Sequence, residues 1–447
     1  MNFSETEFKL QWAKDNPSVC FFPYSTVDIR QPSMQTDTDI SVSCCCNLSP
    51  KKLKYKSAKD PFKEIKEAAA LGELPDACGK CKLEEQNGGQ SERIRDILGQ
   101  PKQVLEDFAN NINHATPREF EVRIKFSSLC SLACRSCAST ESTTYAKIVK
   151  DTYFGKLSTD ISELDNYWDH ITTAIMENID VPESFYLHLI GGETFLQPGV
   201  IKLCNWLIEQ NLVSRIKLRL TTSMAVVPSA TLLEKFAQFN EVLFLMSIDS
   251  VGENYKYVRW PANFGKIERN LTDFIEYRKT LPDLYKFKFI ISPVFSLNNI
   301  FYIDDYLTYW DQWLNRNNYL TYFVSTNLVM ETNYLDVQAL PVGYRSYLKD
   351  LLTTCLAHPI FLNKFAVATH IYTFIKSTIG ELEHWPDNPK LWNNFLLHTA
   401  EFDRRTGTEF SILNSRLYNL LVDKDVESFN NKLLAVNTNK TFHTIRP

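Results

Sequence analysis

The chain has 447 residues, 44% of them hydrophobic and 23% charged, with a net charge of -5. That length carries two or three domains, and 29 Phe, 20 Tyr and 8 Trp mark a packed, aromatic-rich protein rather than a disordered one. The acidic balance excludes a basic field for nucleic acid, and no apolar run of about 18 residues provides a membrane span.

The first residues, Met1-Asn2-Phe3-Ser4-Glu5, are polar and acidic and do not read as a signal peptide. An odd total of 11 cysteines fits a reducing compartment better than a disulfide framework, so a cytoplasmic location is expected.

Residues 1–105 read as a cysteine-rich, loop-rich unit. Cys20 comes first, then a Ser/Thr/Asp/Gln stretch from Gln31 to Asp39. The short strand-like run Ile40–Ser43 ends in Cys44-Cys45-Cys46. A helix is expected next, with Asp60 as its cap, Pro61 at its first position and Gly72 at its end. Pro75-Asp76-Ala77-Cys78-Gly79-Lys80-Cys81 supplies a C-x2-C, and a second helix is expected from Ser91 to Leu98, closed by Gly99. Cys20, one of the adjacent trio, Cys78 and Cys81 make a four-thiolate set, which on these residues fits a [4Fe–4S] cluster and structural zinc equally. At most one or two of the trio point inward, because neighbouring side chains on a strand face opposite ways.

From about residue 118 to 340 strands and helices alternate. The expected strands are Val122–Phe126, Phe185–Ile190, Ile216–Thr221, Val242–Ile248, Phe287–Ser292 and Leu320–Ser325. The helices between them are Glu141–Tyr153, Glu163–Met176, Val200–Glu209, Ala230–Phe239, Lys266–Thr280 and Ile303–Asn315. Six β/α repeats predict an α/β fold with a parallel sheet and right-handed crossovers, in which ligands bind at the carboxyl ends of the strands.

Three motifs fall at such ends. Cys130-Ser131-Leu132-Ala133-Cys134-Arg135-Ser136-Cys137 follows the first strand as C-x3-C-x2-C. Three thiolates on one short loop can hold three irons of a [4Fe–4S] cluster and leave the fourth open to a ligand. The plainer readings are a zinc knuckle or three unrelated thiols, although structural zinc prefers C-x2-C pairs and four ligands. Gly191-Gly192-Glu193 follows the second strand; its glycines permit close backbone approach, and Glu193 offers a carboxylate to an ammonium. Ser247-Ile248-Asp249 closes the fourth strand.

His188 reads as a core residue, and His170, His358, His370 and His398 show no metal-ligand spacing. Cys204 and Cys355 read as inert buried thiols rather than hydrogen-atom donors. Residues 341–447 form a helical tail with expected helices Tyr344–Leu356, Phe361–Lys376, Pro389–Glu401, Phe410–Leu421 and Val426–Leu433. Its aromatics are expected to pack on the sheet domain, and Arg404-Arg405 reads as a solvated surface pair.

Together these motifs resemble the radical SAM superfamily, and within it the twitch/SPASM-type enzymes with the auxiliary-cluster domain ahead of the barrel. The likeness covers nearly the whole chain. It implies a partial (β/α)6 TIM barrel over 118–340, a twitch-like auxiliary iron–sulfur domain over 1–105 and a helical C-terminal extension over 341–447. It implies that Cys130, Cys134 and Cys137 hold a [4Fe–4S] cluster, and that Gly191, Gly192 and Glu193 hold the methionyl amine of S-adenosylmethionine. By the same likeness Ser223, in Thr222-Ser223, lies near the cofactor, and Ser247 and Asp249 contact its ribose. Arg259 approaches its carboxylate, and Val294 contacts adenine. Leu74–Cys81 with Gly88–Arg93 is similar to the twitch module, which implies an auxiliary iron–sulfur cluster on Cys20, Cys44, Cys78 and Cys81, with Cys44 favoured among the trio by register.

Two departures stand out. Ser136 occupies a place that is often aromatic, and Asp39-Ile40-Ser41-Val42-Ser43-Cys44 lacks the group's usual glycine. The implied reaction is reductive cleavage of S-adenosylmethionine to a 5′-deoxyadenosyl radical that abstracts a substrate hydrogen. The expected substrate is a peptide or protein (crosslink, epimerisation or oxidation), with a small molecule such as a sugar as runner-up. An electron donor such as a flavodoxin or ferredoxin is implied, and neither membrane nor nucleic acid. The reading from another class is a zinc-stabilised interaction protein.

Overall fold

The computed structural model of the chain describes residues 3–30, 41–45, 51–52, 62–86, 91–110, 119–150, 162, 165–180, 183–281, 283, 286–317, 322–323 and 333–421. Cys46, Asp60, Pro61, Gly88, Gly89 and the expected helix Val426–Leu433 lie outside them.

The strands are β1 (Thr26–Arg30), β2 (Ser41–Ser43), β3 (Lys51–Lys52), β4 (Glu119–Lys125), β5 (Ala133–Cys134), β6 (Ser184–Ile190), β7 (Ile216–Thr222), β8 (Glu241–Met246), β9 (Arg259–Trp260), β10 (Phe287–Ile291) and β11 (Tyr322–Phe323). Nine of them form one sheet in the order β11-β10-β8-β7-β6-β4-β1-β2-β3. All six expected parallel strands are there, each laid beside its predecessor. Always adding the next strand on the same side is barrel-type winding, not the reversal of a doubly wound sheet.

One strand lies outside the six expected from the sequence. Thr26–Arg30 pairs parallel with β4, with Thr26 opposite Glu121 and Asp28 opposite Arg123, and makes seven parallel strands. Its Val27 and Ile29 enter the main core at 5% and 1% exposure, so the N-terminal segment extends the central sheet. β2 and β3 then continue it antiparallel. The helices Phe3–Asp15, Glu92–Gly99 and Lys102–Asn110 gather a smaller core of their own around Trp12, Phe21, Ile97 and Phe108.

The sheet has two unlike faces because successive side chains alternate. One face carries Val122, Ile124, Leu187, Leu218, Leu220, Val242 and Phe244, all at most 1% exposed and in the main core. Helices such as Phe264–Lys279 add Ile267, Leu271, Phe274 and Ile275 to that core at three- to four-residue spacing. The other face carries Asp28, Arg30, Glu121, Arg123, His188, Lys217, Arg219 and Lys288, several of them only half-buried.

Element bounds differ from expectation mostly at ends. The helices run Thr143–Val149, Asp165–Asn178, Pro198–Glu209, Ala230–Phe236, Phe264–Lys279 and Ile303–Asn317. The helix expected to start at Pro61 runs Lys63–Ala70, with Gly72 beyond its end at φ +82°. Two expected tail helices are each broken. Phe361–Lys376 is split into Pro359–Asn363 and Phe365–Glu381, because Lys364 leaves the helical region at φ -136° and its ammonium pairs with Asp311. Phe410–Leu421 breaks at Asn414, φ -128°, after the short helix Phe410–Leu413. Among the described residues no helix is long and apolar enough to cross a membrane.

Candidate active site

The cysteine loop leaves the carboxyl end of β4 and is fixed by its own polar residues. Ser142 caps the following helix by accepting from the Tyr145 N–H, and its hydroxyl donates to the Leu132 carbonyl. The Thr144 hydroxyl donates to the Cys130 carbonyl, 2.6 Å, and the Thr143 N–H to the Ser128 carbonyl, 2.9 Å. Lys125, at the end of β4, holds the Thr140 carbonyl at 2.7 Å and Glu141 at 2.8 Å. Cys134 lies in β5, paired antiparallel with β9 so that it stands opposite Arg259.

The Gly-Gly-Glu turn sits directly on this loop. A Cβ on Gly192 would lie 2.3 Å from the Leu129 carbonyl oxygen, and one on Gly191 2.3 Å from Lys125 Cγ; both residues have positive φ. Only glycine fits both the conformation and the space. The Glu193 N–H donates to the Leu129 carbonyl at 2.8 Å, and Gln197 bridges Ser127 and Gly191. The motifs after the first two barrel strands are therefore one packed unit.

The Glu193 carboxylate is buried. It accepts from Thr222 Oγ1 at 2.7 Å and from the Ser223 N–H and hydroxyl at 3.0 and 2.5 Å. Burial raises its pKa, and the hydrogen bonds from Ser223 and Thr222 oppose that shift without cancelling it. Arg259 Nε donates to Asp249 at 2.8 Å, and its Nη1 points at Cys134 Sγ, 3.6 Å away. Asp249 also accepts from the Val294 N–H, and the Val294 carbonyl accepts from Asn299. Ser247 lies half-buried at the end of β8, its N–H bonded to the Thr222 carbonyl.

Donors aim at two of the three sulfurs: Arg259 at Cys134, and the Leu132 N–H at Cys130 Sγ, 3.4 Å away. Burial pushes all three thiols up, Cys134 to about 12 with Arg259 opposing. A metal has to displace those protons to bind, so binding would release them. None of the three is in a disulfide. Three free thiols on a rigid loop, with donors directed at sulfur, fit a thiolate-ligated cluster. Among the described residues, no three His, Cys, Asp or Glu side chains converge tightly enough to hold a single metal ion. Ligands of a cubane cluster sit on different irons and need not converge on one point.

The N-terminal cysteines also gather. Burial pushes the Cys20 thiol well up, with Asp96, Cys45 and Cys78 adding to the shift. Cys78 rises to about 11 through burial, then Cys45 and Cys81. Cys44 is 2% exposed in the main core and is raised first by its hydrogen bond to Cys45, then by burial. Cys45, only partly buried, thus neighbours Cys20, Cys44 and Cys78.

The sequence reading missed what holds the cysteine loop from outside. Arg135, between Cys134 and Cys137, is fully buried, with its guanidinium 3.6 Å from the Tyr257 ring centre and 4.7 Å from that of Phe402. It donates to the Tyr257 carbonyl at 2.8 Å, to Thr408 Oγ1 at 2.9 Å, and to Asp403. Asp403 lies on the tail helix Pro389–Thr406, which also carries His398, hydrogen-bonded to Tyr145 beside Cys137. The only local clue was an arginine inside a loop of small and apolar residues. Arg404 is exposed as expected, whereas Arg405 is largely buried and donates to Glu401 and the Ile148 carbonyl. His188 lines the polar sheet face, between Glu121 and Thr221, rather than the apolar core. Cys204 and Cys355 are buried thiols, each raised to about 12 by burial.

No family model and no curated protein matches the chain. Among solved structures it is similar to histidine-tagged anSMEcpe with bound AdoMet, at 19% identity over 55% of this chain and 60% of that one, TM-score 0.39. Native anSMEcpe with bound AdoMet and Cp18Cys peptide matches at 18% over 55% and 62%, TM-score 0.34. Streptococcus suis SuiB bound to S-adenosylmethionine matches at 12% over 74% and 67%, TM-score 0.32. The chain thus spans less than two-thirds of the anSMEcpe chain. Likenesses this low in identity and TM-score carry no functional argument, and the function is read from the site alone.

Proposed function

We propose that the protein is a radical SAM enzyme. The observation that carries this reading is the packing of Gly191-Gly192-Glu193 onto the Cys130–Cys137 loop at the carboxyl ends of adjacent parallel strands. Cys130, Cys134 and Cys137 would hold a [4Fe–4S] cluster, and Gly191, Gly192, Glu193, Ser223, Ser247, Asp249, Arg259 and Val294 would surround S-adenosylmethionine. When bound, this pair supplies one-electron cleavage to methionine and a 5′-deoxyadenosyl radical that takes a hydrogen atom from the substrate.

The chain's own residues do the positioning. Glu193, held by Thr222 and Ser223, presents a fixed carboxylate toward an ammonium. Arg259 balances Asp249 and directs a donor at the Cys134 sulfur, lowering the cost of a thiolate there. The tail helix covers the loop from outside and keeps water from it. Cys20, Cys78 and Cys81 with Cys44 or Cys45 would form an auxiliary iron–sulfur site, and the substrate is a peptide or a small molecule.

The test is anaerobic reconstitution followed by reduction with S-adenosylmethionine. Wild type should carry about eight irons and release 5′-deoxyadenosine; Cys134→Ala should lose about half the iron and all of that product. Equal 5′-deoxyadenosine from both proteins, or zinc in place of iron, would remove the proposal.

A further inference from the structure

A cavity of about 570 Å³ opens beside the loop that follows β8. That is within the roughly 300–1,000 Å³ that small-ligand sites occupy. Val251 and Gly252 line it just past Asp249, so it lies at the carboxyl end of the sheet, as the cysteine loop does. The backbone from Asp249 to Gly252 spans at most about 11 Å. The rest of the wall comes from the helices Phe264–Lys279 and Ile303–Asn317 and from tail residues 412–415. None of the residues placed around S-adenosylmethionine lines it.

The lining is aromatic and acidic. Phe264, Tyr302 and Tyr309 supply rings, and Glu253, Glu268 and Asp305 supply carboxylates. Among the described residues no Lys or Arg lines it. Phe264 and Glu268 stand one turn apart on one helix face, and the Tyr309 ring meets Phe264 edge-on at 4.9 Å. The Tyr309 hydroxyl donates to Glu268 Oε1 at 2.9 Å, which fixes the carboxylate beside both rings. Burial and then that bond push the Tyr309 hydroxyl up, so it stays a donor.

The protein fills the neighbouring corner with a cation of its own. The Arg416 guanidinium lies 4.8 Å from the Tyr302 ring centre and pairs with Asp304 and, at 2.7 Å, with Asp305. Its one charge is thus shared between two carboxylates at the edge of the cavity. Ring and carboxylate together hold a guanidinium there, and the corner of Phe264, Tyr309 and Glu268 repeats that composition. Among the described residues neither Glu268 nor Glu253 is paired with a Lys or Arg. A cation set over a ring and against a carboxylate is favoured on both counts.

We propose that this cavity binds a basic side chain, Lys or Arg, of a peptide substrate. Phe264 and Tyr309 take its alkyl stem, and Glu268 and Glu253 take its charge. This rests on the radical SAM reading only for calling the peptide a substrate. Apolar walls suit a stem of several methylenes, and the carboxylates reject an acidic side chain of similar length. One side chain anchored here holds the adjoining residues of the peptide near the loop that carries Asp249.

Binding to the full chain, without reductant or S-adenosylmethionine, tests the cavity apart from any radical chemistry. The probes are acetyl-Gly-Ala-Lys-Ala-Gly-amide, its norleucine counterpart and n-butylamine, titrated calorimetrically at pH 7. A cation held by a carboxylate and rings predicts that the Lys peptide binds roughly tenfold or more tighter than the norleucine peptide. Raising the salt from about 0.05 to about 0.5 M should erode that preference. Glu268→Gln keeps the acceptor for Tyr309 and should bring the two peptides within about twofold. Phe264→Leu should weaken both peptides, and Glu177→Gln, on a distant exposed helix face, should change neither. Circular dichroism and urea midpoints identify any variant that fails to fold, in which case Glu253→Gln, at an exposed position, replaces it and should lose part of the preference. Butylamine binding that depends on Glu268, with equal binding of the two peptides, assigns the cavity to a free amine and overturns the peptide proposal. Equal binding of the peptides to wild type, or a Lys preference unchanged by both Glu268→Gln and Glu253→Gln, also overturns it, whatever Cys134→Ala does to S-adenosylmethionine cleavage.

Discussion

Replacing Asp403 with Asn should disturb the cysteine loop from the far end of the chain. Arg135 has 1% of its side chain exposed, and Asp403 is its counter-charge. Asn keeps the shape and one acceptor but removes the charge, leaving a buried guanidinium supported by the Tyr257 carbonyl, Thr408 and two aromatic faces. Breaking one side of a buried pair costs about 3–5 kcal/mol. The remaining acceptors and rings retain part of that, so a loss of about 3 kcal/mol is expected. Urea unfolding followed by tryptophan fluorescence measures it, and iron per reconstituted chain reports the loop itself. The double variant Arg135→Met/Asp403→Asn removes the orphaned charge and should regain most of the stability, a coupling the two single variants alone cannot mimic. An Asp403→Asn protein within about 0.5 kcal/mol of wild type, with full iron, would refute the idea that the tail helix secures the loop.

Two further outcomes follow from backbone space and burial. Gly192→Ala drives a Cβ into the Leu129 carbonyl at φ +45° and should cost roughly 2–5 kcal/mol with loss of iron binding, whereas Gly72→Ala, with positive φ but nothing within 4 Å, should cost only about 1 kcal/mol by urea unfolding. Burial raises Asp336 from 3.8 to about 6, against the hydrogen bond it accepts from the Gln338 N–H. The folded state thus binds this proton more tightly, so its stabilising effect is complete below pH 3.8 and is lost as pH rises through about 6. Asp336→Asn, which keeps the acceptor, should therefore gain up to about 3 kcal/mol over wild type at pH 7.5 and nothing at pH 3.5, read as the difference in urea midpoints.

What could be read in advance depends on the range of each interaction. Alternation exposes a parallel strand when helices seal one face, so β4, β6, β7, β8 and β10 were legible as Val122/Ile124, Leu187/Leu189, Leu218/Leu220, Val242/Phe244 and Phe287/Phe289. β1 was not, because its charged Asp28 and Arg30 leave too short an apolar pattern in Val27 and Ile29, and only the pairing with β4 places them on the polar sheet face, where they pair with each other. The cysteine and Gly-Gly-Glu motifs were legible because their spacing is local, and the sheet order then brings their strands side by side. Arg135 and Asp403 stand 268 residues apart, and neither carries a pattern that names the other. The same holds for Tyr145 with His398. Short-range spacing therefore sets which atoms can bind at the loop, while its rigidity is supplied by a helix that only tertiary packing brings there. For that reason a deletion of the tail would be expected to act on the cysteine site even though its contacts with the loop, among the described residues, are made by Asp403, His398 and Phe402 rather than by a thiol.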